Sequence, residues 1–248
     1  MDAIYGCVLS RMNVRLVRSL SDEFIQRLFL VGLTAVFISI FMVWLPGPAA
    51  GLQLIGFEMG EWVKFLGVDL SRNLFYLPPM TLGFSLAMWT AVWPNGRWQT
   101  WLMRGVALLV SLLAFPAWND ITGGSQIEYV PRLWFIGFVG LAILLSIGLS
   151  WFDSFMELSV KLTEPHAKPQ RRKDKSSKKR LFINRLPWLL IAIVSILGGL
   201  LPTWIYTAVK PIAEQWLQLS LGTGIGVWVN GAGHLLITAV CLVKLVDS

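Results

Sequence analysis

The amino-acid sequence predicts an all-α integral membrane protein with about six transmembrane helices in an antiparallel bundle. Hydrophobic residues make up 55% of the chain and charged residues 14%, whereas about a quarter of the residues in a soluble domain are charged. The apolar residues form six runs of roughly 18 to 25 residues, the length that crosses a bilayer core as a helix. Most basic residues lie between those runs, so membrane topology explains the net charge of +7 and nucleic-acid binding is not expected.

The segment that orients the chain is residues 161–185, which contains ten Lys or Arg residues and two acids. Loops rich in Lys and Arg stay on the cytoplasmic side of a membrane. We therefore expect a multi-pass protein of the cell membrane with both termini in the cytoplasm, an arrangement that puts 17 of the 21 Lys and Arg residues on the cytoplasmic side. Residues 168–180 contain no apolar residue, so we expect them to be mobile or to bind anionic lipid.

The spans divide the chain into four regions, namely a cytoplasmic N-terminus (1–27), a four-helix transmembrane unit (28–151), a basic cytoplasmic loop (152–185) and a two-helix transmembrane hairpin (186–248). In the N-terminal region, Leu16, Leu20 and Phe24 recur every four residues. Arginines occupy another face of the same helix, which is typical of an amphipathic helix on the membrane surface. The N-terminus therefore predicts an interfacial helix ahead of the first span.

The six spans are expected at residues 28–45, 74–93, 101–118, 133–151, 186–206 and 219–243. Pro78 and Pro79 fall in the first turns of the second span, where a missing N–H donor costs least. Arg104 lies one turn inside the third span, and we expect its side chain to extend to the cytoplasmic interface. Pro202 predicts a kink in the fifth span.

The outer loop between the first two spans contains the run LIGFEMGEWVKFLG, which mixes large apolar residues with acids. Such a mixture predicts a second interfacial helix. Glu58 and Glu61 on its polar face are outer-face candidates for binding a cation or substrate, although a solvated polar face explains them as well. An outer-face enzyme site would combine them with Asp120 and Glu214.

The last span has an unusual pattern, because small and polar residues recur at every fourth position. These residues are Gly222, Gly226, Asn230, His234 and Thr238. The glycines, together with Gly199 on the fifth span, predict close helix packing. Ser195, Gly199 and Thr203 are also four apart, which makes the fifth span the natural partner.

Two interpretations of this last span stay open. Asn230 and His234 either bond to the backbone of neighbouring helices and fix packing, or they line a pathway or hold a ligand, because polar groups in a membrane interior are costly and tend to be functional. Trp228, near the middle of the span, belongs to the same set of ligand-binding or pathway candidates.

Several chemistries lack the residues they need. Cys7 and Cys241 lie at predicted cytoplasmic ends, so neither a disulfide nor a metal framework is expected. His166 and His234 are too far apart in environment to form a metal pair. The sequence contains no protease nucleophile motif beside His234, no aspartate pair in the spans and no phosphate-binding loop. A haem or pigment bound to His234 is the one cofactor hypothesis, and a single histidine is its only support.

These observations favour a non-enzymatic membrane component, either a transport-type subunit or a scaffold within a larger complex. The alternatives are the permease half of an ATP-driven exporter with its ATPase on a separate chain, a haem- or pigment-binding membrane subunit, and a membrane enzyme with an outer-face site. The expected partners are the lipid bilayer, anionic lipid at the basic loop and other membrane subunits.

Overall fold

The computed structural model describes the backbone of the chain in six stretches and the side chains of a smaller set of residues. The backbone is described for residues 2–47, 53–66, 72–94, 96–114, 130–163 and 170–247, and side chains for residues 22–47, 53–66, 72–94, 96–114, 133–152, 155 and 185–246. Within these stretches the chain is almost entirely helical.

Seven α-helices account for most of the described chain: α1 (Asp2–Phe41), α2 (Gly56–Trp62), α3 (Leu77–Trp89), α4 (Trp98–Ser111), α5 (Val130–Thr163), α6 (Gln170–Leu217) and α7 (Ile225–Asp247). Short 3₁₀ turns extend α2, α3 and α4, at Val63–Leu66, Arg72–Tyr76, Thr90–Val92 and Leu112–Ala114. Two very short strands, β1 (Val43–Leu45) and β2 (Leu54–Ile55), pair antiparallel between α1 and α2.

Four of the helical stretches are long and apolar enough to cross a membrane, namely Asp22–Phe41, Leu133–Phe152, Arg185–Leu217 and Ile225–Val246. They coincide with the first, fourth, fifth and sixth predicted spans, so the all-helical membrane class is confirmed. The second and third predicted spans fall on shorter helices. Pro78 and Pro79 supply no N–H groups, so the α-helix starts beside them at Leu77, and the turn before it is 3₁₀.

The helix α3 lies at the centre of the packing. Every residue from Leu77 to Trp89 is buried, and α3 contacts α1, α4, α5 and α6. A helix that is apolar on all sides needs neighbours on all sides. The helix α7 packs against α1 and α6, and it runs antiparallel to α1, because Lys244 near its C-terminus is 2.7 Å from Asp22.

Two predicted boundaries differ from the structure at the basic parts of the chain. The expected N-terminal interfacial helix is not separate from the first span, because α1 runs unbroken for 40 residues. The expected loop at 152–185 is also largely helical, since α5 continues to Thr163 and α6 begins at Gln170. Lys, Arg and Gln favour helix, so helices that start in the apolar spans continue into their basic flanks. The mobility or lipid binding expected of residues 168–180 stays a prediction.

A second apolar cluster closes the end of the molecule that carries β1, β2 and α2, which we refer to as the α2 end. Its largest member, Trp44, is 1% exposed and donates its indole N–H to the carbonyl of Ser39 at 2.8 Å. The rings of Phe75 and Tyr206 pack edge-on against Trp44. Periodicity did not predict this cluster, because strands of two or three residues carry no recognisable pattern.

Candidate functional site

The polar residues of α7 face inward and meet α3 and α6 inside the protein. Asn230 and His234 are at most 2% exposed, and the partners that surround them are Thr81 on α3 and Ser195 and Gly198 on α6. We call this group, with Thr238, the polar junction. It brings together the two polar candidates predicted on α7 and the predicted partner helix.

His234 uses both ring nitrogens within the protein. Its Nδ1 atom is 3.0 Å from the carbonyl oxygen of Asn230, and its Nε2 atom is 2.8 Å from the hydroxyl oxygen of Thr81. A carbonyl oxygen only accepts hydrogen bonds, so Nδ1 carries the proton. In the neutral ring Nε2 is then the acceptor. The single proton of the Thr81 hydroxyl has two acceptors within reach, Nε2 at 2.8 Å and the carbonyl oxygen of Pro78 at 3.0 Å, and the acceptor role of Nε2 directs it to the imidazole. The imidazole thereby ties α7 to α3.

The Asn230 side chain donates a hydrogen bond to a carbonyl group of α6 that has no donor within its own helix. Pro202 has no N–H, so the carbonyl of Gly198, four residues earlier, lacks its usual helical donor. The Nδ2 atom of Asn230 donates to that carbonyl oxygen at 3.3 Å. The buried Oδ1 atom of Asn230 accepts no hydrogen bond from the residues that the structure describes. The amide thus links α7 to α6 at the carbonyl group that Pro202 leaves without a donor.

The backbone carbonyl of His234 is a third contact point. It accepts hydrogen bonds from the hydroxyl groups of Thr238 at 2.8 Å and Ser195 at 3.1 Å. The Thr238 bond stays within α7, whereas the Ser195 bond crosses from α6. Hydroxyl groups on both helices therefore hold the same peptide group.

Glycines allow these contacts to form. A Cβ atom at Gly198 would lie 2.5 Å from both His234 Nε2 and Thr81 Cγ2, and one at Gly199 would lie 3.0 Å from the Cβ of His234. Sequence spacing identified Gly199 but missed Gly198 and Thr81. A helical period identifies residues that share a face, and it does not tell which distant helix approaches that face.

The other residues of the predicted ladder lie in different surroundings. Gly222 precedes α7, which starts at Ile225 and not at residue 219 as expected, and its carbonyl accepts a hydrogen bond from Tyr206. Gly226 packs against the indole of Trp44, which a Cβ atom there would overlap. Trp228 is 69% exposed and projects away from the polar junction.

A groove of about 760 Å³ runs along the surface between α6 and α7. Trp228 stands on one side of it, and His234 contributes to its wall. Of the three pathway or ligand candidates, Trp228 and His234 therefore line the groove, while Asn230 lies on the same helix outside the lining.

The acids predicted to lie on the outer face each bind a nearby part of the chain. Glu58 reaches back to the backbone N–H of Ile55 at the start of α2. Glu61 accepts a hydrogen bond from Tyr76 at 2.9 Å and lies 3.8 Å from Arg72. Of the two further acids proposed for an enzyme site, Glu214 accepts the N–H of Leu221 at 2.8 Å, and Asp120 lies outside the described residues.

A second polar cluster surrounds Arg104, which is only 2% exposed. Its Nε atom donates to Thr90 at 3.1 Å, and the Thr90 hydroxyl is 3.2 Å from that of Ser146. Its guanidinium also stacks over the ring of Trp101. The hydroxyl group of Thr90 thus binds Arg104 inside the protein, and the extension of its side chain to the level of the cytoplasmic interface stays a prediction.

The geometry does not fit a haem or pigment on His234. An axial ligand offers a ring nitrogen to the metal, but Nδ1 and Nε2 are both engaged, and Gly198 packs directly on Nε2. Within the described residues, no group of three or more His, Cys, Asp and Glu side chains is placed to hold a metal ion. The arrangement is suited to joining helices.

Comparison with known proteins adds no family to this description. No protein-family model, no curated protein and no solved structure matches the chain.

Proposed function

We propose that this protein is a non-enzymatic subunit of a membrane complex that acts as a scaffold. The observation that supports this most directly is the engagement of both His234 ring nitrogens by groups of the same chain. Polar groups buried in a membrane often mark reaction or transport sites. In this protein they bond to one another and to backbone carbonyls, which is the use expected of groups that fix helix packing.

The proposed scaffold crosses the cell membrane six times, with both termini in the cytoplasm. The helical run 72–92, made of α3 and its two 3₁₀ turns, and the run Trp98–Ala114 are apolar and would supply the two shorter spans. At 1.5 Å per residue they extend over roughly 26 to 31 Å, about the thickness of the hydrocarbon core. The basic flank at the start of α6 would then face anionic cytoplasmic lipid.

The surface proposed to take a partner subunit is the outward face of α5. In the most apolar 18 residues within Leu133–Phe152 only 22% are buried, compared with 33% to 44% in the other three long spans. Leu141 and Leu144 are more than 60% exposed on this face. A partner helix would bury them by van der Waals packing, the main source of helix association in lipid.

Site-specific crosslinking in the native membrane tests the scaffold function. A photoreactive residue at Leu144 should form a crosslink to another membrane protein, while the same residue at Ala142, buried in the same helix, should crosslink only within the chain. Tagging the protein identified at Leu144 should then recover this chain. A protein that migrates as a monomer and gives no protein adduct from position 144 would contradict the proposal.

A transport-type subunit is the second candidate, and one observation favours it. The buried Oδ1 atom of Asn230 accepts no hydrogen bond from the described residues, and it lies beside α6, where Pro202 leaves one backbone carbonyl without its helical donor. Interrupted helices with open backbone groups form the substrate sites of many transporters. The permease half of an exporter with a separate ATPase is one form of this candidate. It predicts that Asn230→Leu abolishes transport while the folded yield stays normal.

A further inference from the structure

The groove between α6 and α7 has the composition and shape of a site for a chain-like apolar ligand. Its volume of about 760 Å³ is in the range of ligand pockets. The floor contains Gly199 and Gly231, and its edges are formed by exposed apolar side chains, including Leu200 at 64%, Trp228 at 69% and Leu235 at 73%. Because both helices are long and apolar enough to cross a membrane, this opening would face lipid.

The groove carries a charged side chain at one end only. Lys210, Thr207 and Thr223 lie at its α2 end, and from there the groove follows α6 for about 22 Å to Ser195. The groups at the far end are bonded internally, since Ser195 and Thr238 both donate to the carbonyl of His234. The long middle section is mainly apolar. Near Lys210 the hydroxyl group of Thr207 is also bonded internally, to the carbonyl of Trp204 at 2.7 Å, so it is the ammonium group of Lys210 that distinguishes this end of the groove.

The ammonium group of Lys210 is available to an anion. Its described ion-pair partner, Glu214 Oε1, lies 3.8 Å away, which is too far for a hydrogen bond. The same Oε1 atom accepts the N–H of Leu221 at 2.8 Å. The 23-residue helix α7 also begins beside Thr223, and the positive end of its dipole favours negative charge there.

We propose that this groove is a binding site for an anionic phospholipid. One acyl chain lies along Gly199, Thr203 and Gly231, and the phosphate group binds Lys210 at the start of α7. A lipid meets each observation: an apolar chain about the length of the groove, a negative headgroup where the cation lies, and entry from the bilayer. The site is independent of the proposed scaffold function.

Reconstitution of the full-length protein in vesicles of equal phosphatidylglycerol and phosphatidylcholine tests this site. After extraction in mild detergent, native mass spectrometry should find phosphatidylglycerol bound in preference to phosphatidylcholine. Lys210→Gln should lower that preference about fivefold, because one Lys near an anionic headgroup contributes about that factor. Lys64→Gln, which removes a basic residue outside the groove, should leave the preference unchanged.

A second pair of variants tests the acyl-chain site. A Cβ atom at Gly231 meets nothing within 4 Å, so Gly231→Leu fills the groove without disturbing the fold. The variant should reduce retention of both lipids roughly tenfold, which corresponds to about two CH₂ groups displaced from the groove. Gly140→Leu on α5, equally open, is the matched control and should retain lipid normally.

Three results would overturn the proposal. These are full lipid retention in Gly231→Leu, an unchanged headgroup preference in Lys210→Gln, and a photoreactive group at Ala232 that crosslinks to a polypeptide and not to lipid.

Discussion

The carbonyl group of Gly198 is available to α7 only because residue 202 is proline. In an uninterrupted helix the N–H of residue 202 would bond to it. Here the amide of Asn230 takes that place. Asn230 and Pro202 are therefore coupled, although they lie on different helices, and the coupling explains an asparagine deep in an apolar helix without requiring a ligand.

Replacing Asn230 by Leu should lower the free energy of unfolding by about 0.6 to 1.7 kcal/mol, the range of interhelical hydrogen bonds in membrane proteins. In a Pro202→Ala background the cost should fall, because residue 202 then provides the N–H. Unfolding of the four proteins in one detergent measures this coupling as a double-mutant cycle. Pro211→Ala, in the same helix but away from Asn230, is the control background. An equal cost in all backgrounds would contradict the coupling.

The protonated nitrogen of His234 is also fixed by its neighbours. We expect the neutral ring with its proton on Nδ1, since the Asn230 carbonyl can only accept. Nitrogen NMR measures this directly, and because the chain has two histidines, His166→Gln leaves one imidazole to observe. Thr81→Val should shift the Nε2 signal by removing its donor, while Thr81→Ser should preserve it. A proton found on Nε2 would contradict the assignment.

Between elements, α1 and α7 approach each other closely at their antiparallel crossing. A Cβ atom at Gly32 would lie 2.8 Å from Ile237 Cγ1, and one at Gly233 would lie 3.0 Å from the backbone nitrogen of Val36 and 3.1 Å from the carbonyl oxygen of Gly32. Each glycine therefore makes room for the backbone of the other helix. Small residues at such crossings let membrane helices pack closely.

Gly32→Leu and Gly233→Leu should each destabilise the protein by about 1 to 3 kcal/mol, because the added side chain has no space and must push the helices apart. Gly226→Leu, facing Trp44, should behave in the same way. Gly105→Leu on α4, where a Cβ atom meets nothing within 4 Å, is the control and should fold normally. Thermal unfolding and the monodisperse yield in detergent measure the effect. A loss of stability in Gly105→Leu equal to that in Gly32→Leu would show that leucine itself, and not the crossing, is responsible.

At the same scale, the sequence identified helices better than it identified their partners. The four-residue spacing of Asn230, His234 and Thr238 predicted an inward polar face, and that of Ser195 and Gly199 predicted α6 as its partner. The contact of Thr81 with His234 could not be predicted from spacing, because the two residues are 153 positions apart and lie on different helices. Periodicity describes one helix at a time, so contacts between distant helices are not encoded in it.

For the whole molecule, composition was sufficient to predict the membrane class, while the number of spans depends on two shorter helices. The all-round burial of α3 agrees with its uniformly apolar sequence, yet burial by other helices does not decide whether a helix crosses the bilayer. The ion pair between Asp22 and Lys244 places the start of the first span and the end of the last on the same side. This contact agrees with the proposed even number of crossings, and the side itself depends on the basic residues.

Cysteine labelling with a membrane-impermeant reagent tests both the number and the direction of crossings. In a protein with Cys7 and Cys241 replaced by Ala, Gln53→Cys, before α2, should be labelled in intact cells, because the proposed orientation puts the α2 end outside. Arg97→Cys, between α3 and α4, and Ser176→Cys, in the basic flank of α6, should be labelled only after permeabilisation. Labelling of position 97 together with position 53 in intact cells would mean that α3 does not cross the membrane, and the count would fall to four. Labelling of position 176 in intact cells would instead contradict the proposed orientation. The ten Lys and Arg residues in 161–185 would then lie on the side that the positive-inside rule disfavours.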